Sequence, residues 1–162
     1  MPGELTIHVA ERAEVEEALS VWSSANPAAS SSRHRHDLAE WSLQDGARLL
    51  VARRPDGGVA GMLLSLEGRE NDGAGPVVPG LRHITGVAVR PELQGLGIGR
   101  RLMLAAIADA EASESDRLTL WTQATNGRAQ RLFESVGFRA TSRVEVDATG
   151  EAMVLFERRS TG

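Results

Sequence analysis

Apolar and polar positions recur along this chain with two periods, and the switches between them outline its elements. Residues 4–10, ELTIHVA, alternate apolar and polar residues, which predicts a half-buried strand. Residues 12–23 change to a helical period, with Ala13, Val15, Ala18, Leu19 and Trp22 on one face. The polar, serine-rich SANPAASSSRHRHD that follows reads as a loop broken by Pro27, and DLAEWSLQ as a short helix. Two strand-like runs flank Pro55-Asp56-Gly57-Gly58, a hairpin turn signal. NDGAGPVVPG, residues 71–80, reads as a loop, and RHITGVAVR, residues 82–90, as a β-branched strand ending at Pro91. Beyond a cluster of glycines, Ile98, Leu102, Ala105, Ala108 and Ala112 recur at steps of three and four and predict a helix. RLTLWTQ predicts a further strand. NGRAQRLFESVGF sets Ala129, Leu132, Phe133 and Val136 on one helical face, with Asn126 placed to cap its start and Gly137 to end it. FRATSRVEV and EAMVLFERR predict two last strands that pair across DATG.

The predicted order is β-α-α-β-β-β-α-β-α-β-β in a single domain over residues 1–162, without linker or internal repeat. Such a pattern implies a mixed α/β fold, a twisted sheet covered by helices on both faces. No window approaches the ~18 apolar residues that cross a bilayer, and acidic residues stand near the start where a leader would carry basic ones. A cytoplasmic protein with no membrane partner is the expectation. The absence of cysteine removes disulfide frameworks, thiolate nucleophiles and cysteine-based zinc sites. All 18 basic residues are arginine and there is no tyrosine, so lysine Schiff bases and a phenolic acid are excluded. A net charge of −4 argues against a nucleic-acid partner, which needs a clustered basic surface.

The chemistry concentrates in VAVRPELQGLGIGRRLM, residues 87–103, where Gly95, Gly97 and Gly99 stand between a strand and a helix. The first turn of a helix has backbone N–H groups without intrahelical partners, and the helix dipole adds partial positive charge there. Glycines let an anion approach those groups, with Arg100 and Arg101 adding charge at the rim, so a diphosphate is the natural guest. Spacing separates the templates. A Walker loop needs a lysine that the chain lacks. A dinucleotide fingerprint needs a glycine at its sixth position, where the frames from Gly95 and Gly97 find Arg100 and Leu102. A nucleotide-binding regulatory domain fails with them.

What remains, Gln94-x-x-Gly97-x-Gly99 after VAVRP, resembles the acyl-CoA-binding motif of the GNAT superfamily of N-acetyltransferases, [Arg/Gln]-x-x-Gly-x-[Gly/Ala]. A second block agrees: NGRAQRLFESVGF resembles the family's Asn-x-x-Ala-x-x-x-Tyr-x-x-x-Gly-Phe at Asn126, Ala129, Gly137 and Phe138. The resemblance implies a mostly antiparallel sheet with a splayed central strand pair, and acetyl-CoA as co-substrate without a metal. It implies transfer of the acetyl group to a primary amine of a small molecule or peptide by direct attack on the thioester, with other acyl donors open. Backbone groups of Val87, Ala88 and Val89 are then expected at the pantetheine arm and thioester oxygen. The amides of Gly95, Leu96, Gly97, Ile98, Gly99 and Arg100 are expected at the diphosphate, beside Gln94. Asn126 is expected near the pantetheine or sulfur, with Ala129 and Phe133 beside the cofactor.

Phe133 occupies the family's tyrosine position and cannot donate a proton. Three outcomes stay open: unaided departure of the thiolate, protonation by water, or a catalytically weak acyl-CoA-binding or sensing module of the same fold. For the base, His83 is the first candidate. It precedes the loop in phase with Thr85 and Val87, and an imidazole with a pKa near ~6.5 suits proton transfer around neutrality; its alternative is a histidine at an exposed strand end. Glu70 and Asp72 are weaker candidates that serve equally as solvated loop acids attracting a cationic substrate. His34 and His36 lack a third ligand and read as solvated, while SRHRHDLAEW is a candidate for choosing the acceptor. Trp22, Trp41 and Trp121 read first as core residues. An exposed final strand offers an edge for a homodimer.

Overall fold

The alternating run near the start of the chain folds as β1 (Thr6–Val9), and the helical pattern behind it as α1 (Val15–Ala25). The structure is a computed structural model. It describes residues 4–26, 32–147 and 150–160, with the side chains of residues 32–36 and of Asp72 outside the description. Then follow α2 (Ser32–Trp41), β2 (Arg48–Arg53), β3 (Val59–Arg69) and β4 (Val77–Val89). The glycine loop leads into α3 (Ile98–Ala112), and β5 (Arg117–Gln123), α4 (Gly127–Ser135), β6 (Arg139–Val146) and β7 (Ala152–Arg159) complete the order expected from the sequence. The strands lie in one seven-stranded sheet ordered β1-β2-β3-β4-β5-β7-β6. It is a mixed α/β fold with a mostly antiparallel sheet, β4 and β5 being parallel.

Two compact units divide the chain: Met1–Leu66 with Gly86–Ala106, and Glu67–Thr85 with Ile107–Gly162. In the first, β1 pairs with β2 from Thr6↔Arg53 to Val9↔Leu50, and β2 with β3 from Arg48↔Ser65 to Ala52↔Gly61. Its core joins Ala18, Leu19 and Val21 of α1 and Leu38 of α2 to Val51, Met62, Leu64 and Ala88 of the strands. Successive strand residues point to opposite faces. Thus Met62 meets that core while Gly61 meets Ile98 and Leu102 of α3, and helices cover both faces of β3. A Cβ on Gly61 would lie 2.9 Å from Leu102 Cδ1 and 3.1 Å from the Ala88 carbonyl oxygen, so the approach of α3 requires a glycine here.

In the second unit, β4 and β5 pair in parallel from Leu81↔Arg117 to Ile84↔Leu120, after which β4 runs on to Val89. Strand β5 pairs antiparallel with β7, and β7 with β6 around an irregularity between Ala140 and Val144. The ring of Phe133 on α4 packs 6.3 Å from the rings of both Phe138 and Phe156.

Several sequence expectations are corrected. Helix α2 begins at Ser32, inside the stretch expected to be a loop, and β4 begins at Val77, inside the other. On α3 the buried stripe is Ile98, Leu102, Met103, Ala106, Ile107 and Ala110, while Ala108 and Ala112 are exposed. A helix rich in alanine offers two candidate faces, and the larger Met103 and Ile107 decide between them because they bury more apolar area. Ala13 is exposed and Trp41 is 37% exposed, so neither belongs to the core. Trp22 packs half-buried against the core of the first unit. Trp121 is half-buried, with the Arg143 guanidinium 5.4 Å above its ring.

Candidate active site

Strand β4 ends in a single turn of 3-10 helix, Pro91–Leu93, with Pro91 at its start. The chain then turns through Gly95 and Gly97, both at φ 84° in the left-handed region that favours glycine, and enters α3 at Ile98. The Arg101 amide donates to the Gly97 carbonyl at 3.1 Å, the first turn of the helix. The amides of Ile98, Gly99 and Arg100 precede that bond and have no carbonyl a turn earlier to reach. A Cβ on Gly97 would meet no heavy atom within 4 Å. Space therefore lies open beside a helix start whose N–H groups and dipole favour negative charge, which suits a phosphate.

The flanks of this loop are tied down. The Arg90 amide donates to the Ala60 carbonyl at 2.9 Å, and its Nε to the Val59 carbonyl at 2.6 Å. Its Nη2 lies 3.5 Å from Glu17 Oε2, and that oxygen also accepts from the Val59 amide at 2.8 Å. Gln94 turns back on the strand, its Nε2 donating to the Val89 carbonyl at 3.2 Å, so here it staples the turn. Leu96 and Arg100 are exposed, Gly99 is half-buried and Ile98 is buried. Arg101 donates to the Leu5 carbonyl at 3.0 Å, which occupies part of the charge expected at the rim. Ala88 faces the core, while Val87 and Val89 lie half-buried on the alternate face of β4.

In the second unit, His83 shares the less buried face of β4 with Thr85. Its Nδ1 lies 2.8 Å from the hydroxyl of Thr119, its register partner on β5. Thr119 escaped the sequence reading because one threonine in a β-branched strand carries no motif; only the strand pairing brings it to His83. Asn126 caps α4, its Oδ1 accepting from the Ala129 amide at 3.1 Å, while its exposed Nδ2 remains a donor type that the cap does not use. Ala129 is half-buried and Phe133 only 5% exposed within the aromatic cluster. Glu70 is exposed in a turn where its carbonyl accepts from the Gly75 amide at 2.8 Å. Asp72, His34 and His36, and the first half of the SRHRHDLAEW segment, have side chains outside the description. Among the described residues no three His, Asp or Glu side chains come close enough to hold a metal, and no helix is long and apolar enough to cross a membrane.

The sequence profile of the Acetyltransferase (GNAT) family matches residues 15–138, from α1 through the glycine loop to the end of α4. The chain belongs to the GNAT acetyltransferase family. A mycothiol acetyltransferase of Nocardiopsis dassonvillei is 32% identical over 104 residues, 64% of this GNAT chain and 31% of the relative. The chain thus spans under a third of that relative's length. Among solved structures, the ribosomal-protein-S18-alanine N-acetyltransferase of Escherichia coli is similar with a TM-score of 0.79 at 21% identity, covering 98% of this chain and 96% of that one. The yncA protein of Salmonella typhimurium, solved with its cofactor acetyl-CoA, matches with a TM-score of 0.79 at 20% identity over 99% and 96% of the two chains. At such identities the likeness establishes the GNAT fold. The tyrosine that the family often has in its second motif is Phe133 in this GNAT chain, and its place in the aromatic cluster accounts for an aromatic ring there without a hydroxyl.

Proposed function

We propose that the protein is an acetyl-CoA-dependent N-acetyltransferase that moves the acetyl group to a primary amine of a small molecule or peptide. The observation that carries this reading is the loop opened by Gly95 and Gly97 in front of unpartnered α3 amides, an anion site of the right kind for a coenzyme A diphosphate. The amides of residues 95–100 hold the diphosphate, the backbone of Val87–Val89 receives the pantetheine arm, and one N–H there meets the thioester oxygen as it gains charge. Asn126 offers its Nδ2 donor to the arm or the sulfur. His83 takes the proton of the acceptor ammonium. The neutral amine forms the new C–N bond at the thioester carbon, the C–S bond breaks, and the sulfur departs with its electron pair. The acylated nitrogen releases its remaining extra proton to water to give the neutral amide. With a thiol pKa near ~8.5, that thiolate leaves without help or takes a proton from water, which suits a chain with no tyrosine.

A second reading, an acyl-CoA-binding or sensing module, is favoured by the burial of Phe133 where a proton donor would stand. Thiol release separates the two. The protein is mixed with acetyl-CoA and a panel holding an alanine-led peptide, an amino acid, a polyamine and an aminoglycoside. Turnover above the uncatalysed rate supports the enzyme, whereas tight CoA binding with no turnover across the panel supports the module. His83→Ala is expected to lower kcat ~100-fold or more at nearly unchanged CoA affinity, the ordinary worth of a general base. Equal activity in that variant removes His83 from the mechanism.

A further inference from the structure

We infer that Thr119 is a positioning residue for the reaction: its hydroxyl accepts the Nδ1 proton of His83 and so leaves the lone pair on Nε2, the nitrogen that takes the acceptor's proton. This rests on the assignment of His83 as base. Register pairs share a face, and His83↔Thr119 is such a pair, with Nδ1 and Oγ1 2.8 Å apart. Thr119 is 7% exposed, so bulk water does not compete for the bond, and a β-branched side chain holds its oxygen in few rotamers.

A neutral imidazole carries one proton on one of two nitrogens, and the hydrogen bond at the other decides which. A base acting through Nε2 needs the Nδ1–H form, which requires an acceptor at Nδ1. The hydroxyl fills that role with a lone pair, its own proton being turned away from the ring, whereas the carboxylates beside other catalytic histidines can only accept. The next member of the row is Glu157, the register partner of Thr119 on β7. It stands two strands, roughly 10 Å, from His83. Its Oε1 is held by Arg159 Nε at 2.7 Å, and Oε2 lies 3.7 Å from Arg117 Nε. The contact at Nδ1 is therefore to a neutral hydroxyl, which holds the Nδ1–H tautomer by accepting and adds no negative charge. In the step itself one N–H of the ammonium breaks, an Nε2–H forms, and the Nδ1–H bond to Thr119 persists in the imidazolium.

The test uses the full chain labelled with ¹⁵N-histidine and long-range ¹H–¹⁵N correlation spectra above the imidazole titration, with His83→Gln assigning the His83 signals among the four histidines. The wild type and Thr119→Ser are expected to hold His83 as Nδ1–H, and Thr119→Val to move it mainly to Nε2–H. With the panel amine that turns over, Thr119→Val is expected to lower kcat about 10- to 100-fold at unchanged KM for acetyl-CoA, the usual weight of a group that orients a reactive histidine. Thr119→Ser stays within about threefold. A wild-type Nε2–H form, or a Thr119→Val enzyme with unchanged kcat, overturns the inference. If His83→Gln keeps full turnover, the base assignment itself falls. If His83→Gln loses turnover while Thr119→Val keeps it, the base stands and only the role of Thr119 falls.

Discussion

Exchanging Gly97 for valine separates anion binding from folding, because the glycine has a conformational demand and no packing demand. Its φ of 84° lies where a β-branched residue is strained, at a cost of roughly 1–3 kcal/mol. Apart from its chain neighbours no atom stands within 4 Å of the added Cβ, so the Cβ itself adds no steric term beyond this. Against a domain stability of about 5–15 kcal/mol the variant stays folded, and its Tm falls by roughly 3–10 °C. Binding suffers more. The new side chain adds bulk to the open space beside the start of α3, where each charge-assisted hydrogen bond from the Ile98–Arg100 amides to a phosphate is worth about 1.5–3 kcal/mol. Losing two of them removes ~3–6 kcal/mol, or about 100- to 10,000-fold in Kd. Calorimetric titration with CoA measures the affinity, and a thermal scan of the same sample measures the fold. A Kd within threefold of wild type would place the diphosphate elsewhere. A Tm loss well beyond 10 °C would make Gly97 a structural glycine.

Gly61→Ala should do the reverse: Leu102 can turn its methyl away from the new Cβ but the Ala88 carbonyl cannot move, so ~1–3 kcal/mol of stability is lost, read as a lower Tm. An unchanged Tm would mean that α3 has room to retreat. Glu14 is 4% exposed, and burial, the largest influence, raises its carboxyl's pKa. Hydrogen bonds from the Glu11 amide (2.8 Å), His8 (3.0 Å) and Arg53 outweigh it, and the pKa stands below the ordinary carboxylate value. A lowered folded-state pKa means stabilisation present above the unfolded value of ~4.3 and lost as pH falls through the folded one. Glu14→Gln should therefore cost about 2 kcal/mol in urea titrations near neutrality, with the gap to wild type narrowing as pH drops below about 4; a gap that stays constant as pH falls refutes the ionic account. Asn126→Ala should lose the α4 cap and ~1 kcal/mol, whereas Asn126→Asp keeps the cap and replaces the Nδ2 donor with a charged oxygen. A raised KM for acetyl-CoA in the aspartate variant marks contact with the cofactor arm, and an unchanged KM limits Asn126 to capping.

Elements marked by period or punctuation were legible in the chain: the hairpin about Pro55–Gly58, the strand before Pro91, and α4 between its Asn126 cap and Gly137. Where composition misled, two local signals competed. SSSRHRHD reads as loop by its polarity, yet most of it lies in α2, whose apolar contact, Leu38, comes later in the helix. PVVPG reads as loop by its prolines and glycine, yet β4 starts within it. Glu14 looks like one acid among several in EVEE, and its burial follows from His8 and Arg53 arriving on paired strands. Thr119 is the same case at the candidate site. Motifs show which backbone a ligand can approach, because that depends on glycine spacing within one segment. Side-chain partnerships such as His83 with Thr119 depend on which residues two strands bring into register, and no local spacing encodes that.

The loop's capacity for a diphosphate depends as much on the residues that immobilise it as on the glycines that expose it. A turn with two left-handed glycines has more backbone freedom to lose on binding than any other sequence, which would weaken a site left to order itself around its ligand. Here the ordering is already done on folding. Arg90 is held to Val59 and Ala60 by its own N–H groups, and Glu17 secures both Arg90 and Val59 from α1. Gln94 closes the turn on Val89, and Gly61 lets Ile98 and Leu102 seat the start of α3 against β3. None of these contacts requires an anion. The loop and the helix start are therefore held in place before any phosphate arrives, and binding energy need not be spent on arranging them. On this account Arg90→Leu, which removes no group that faces the ligand, should weaken CoA binding by about tenfold through lost order. Its effect should fall mostly in the entropy of binding measured by calorimetry, and an affinity equal to wild type would show that the glycines alone hold the loop in shape.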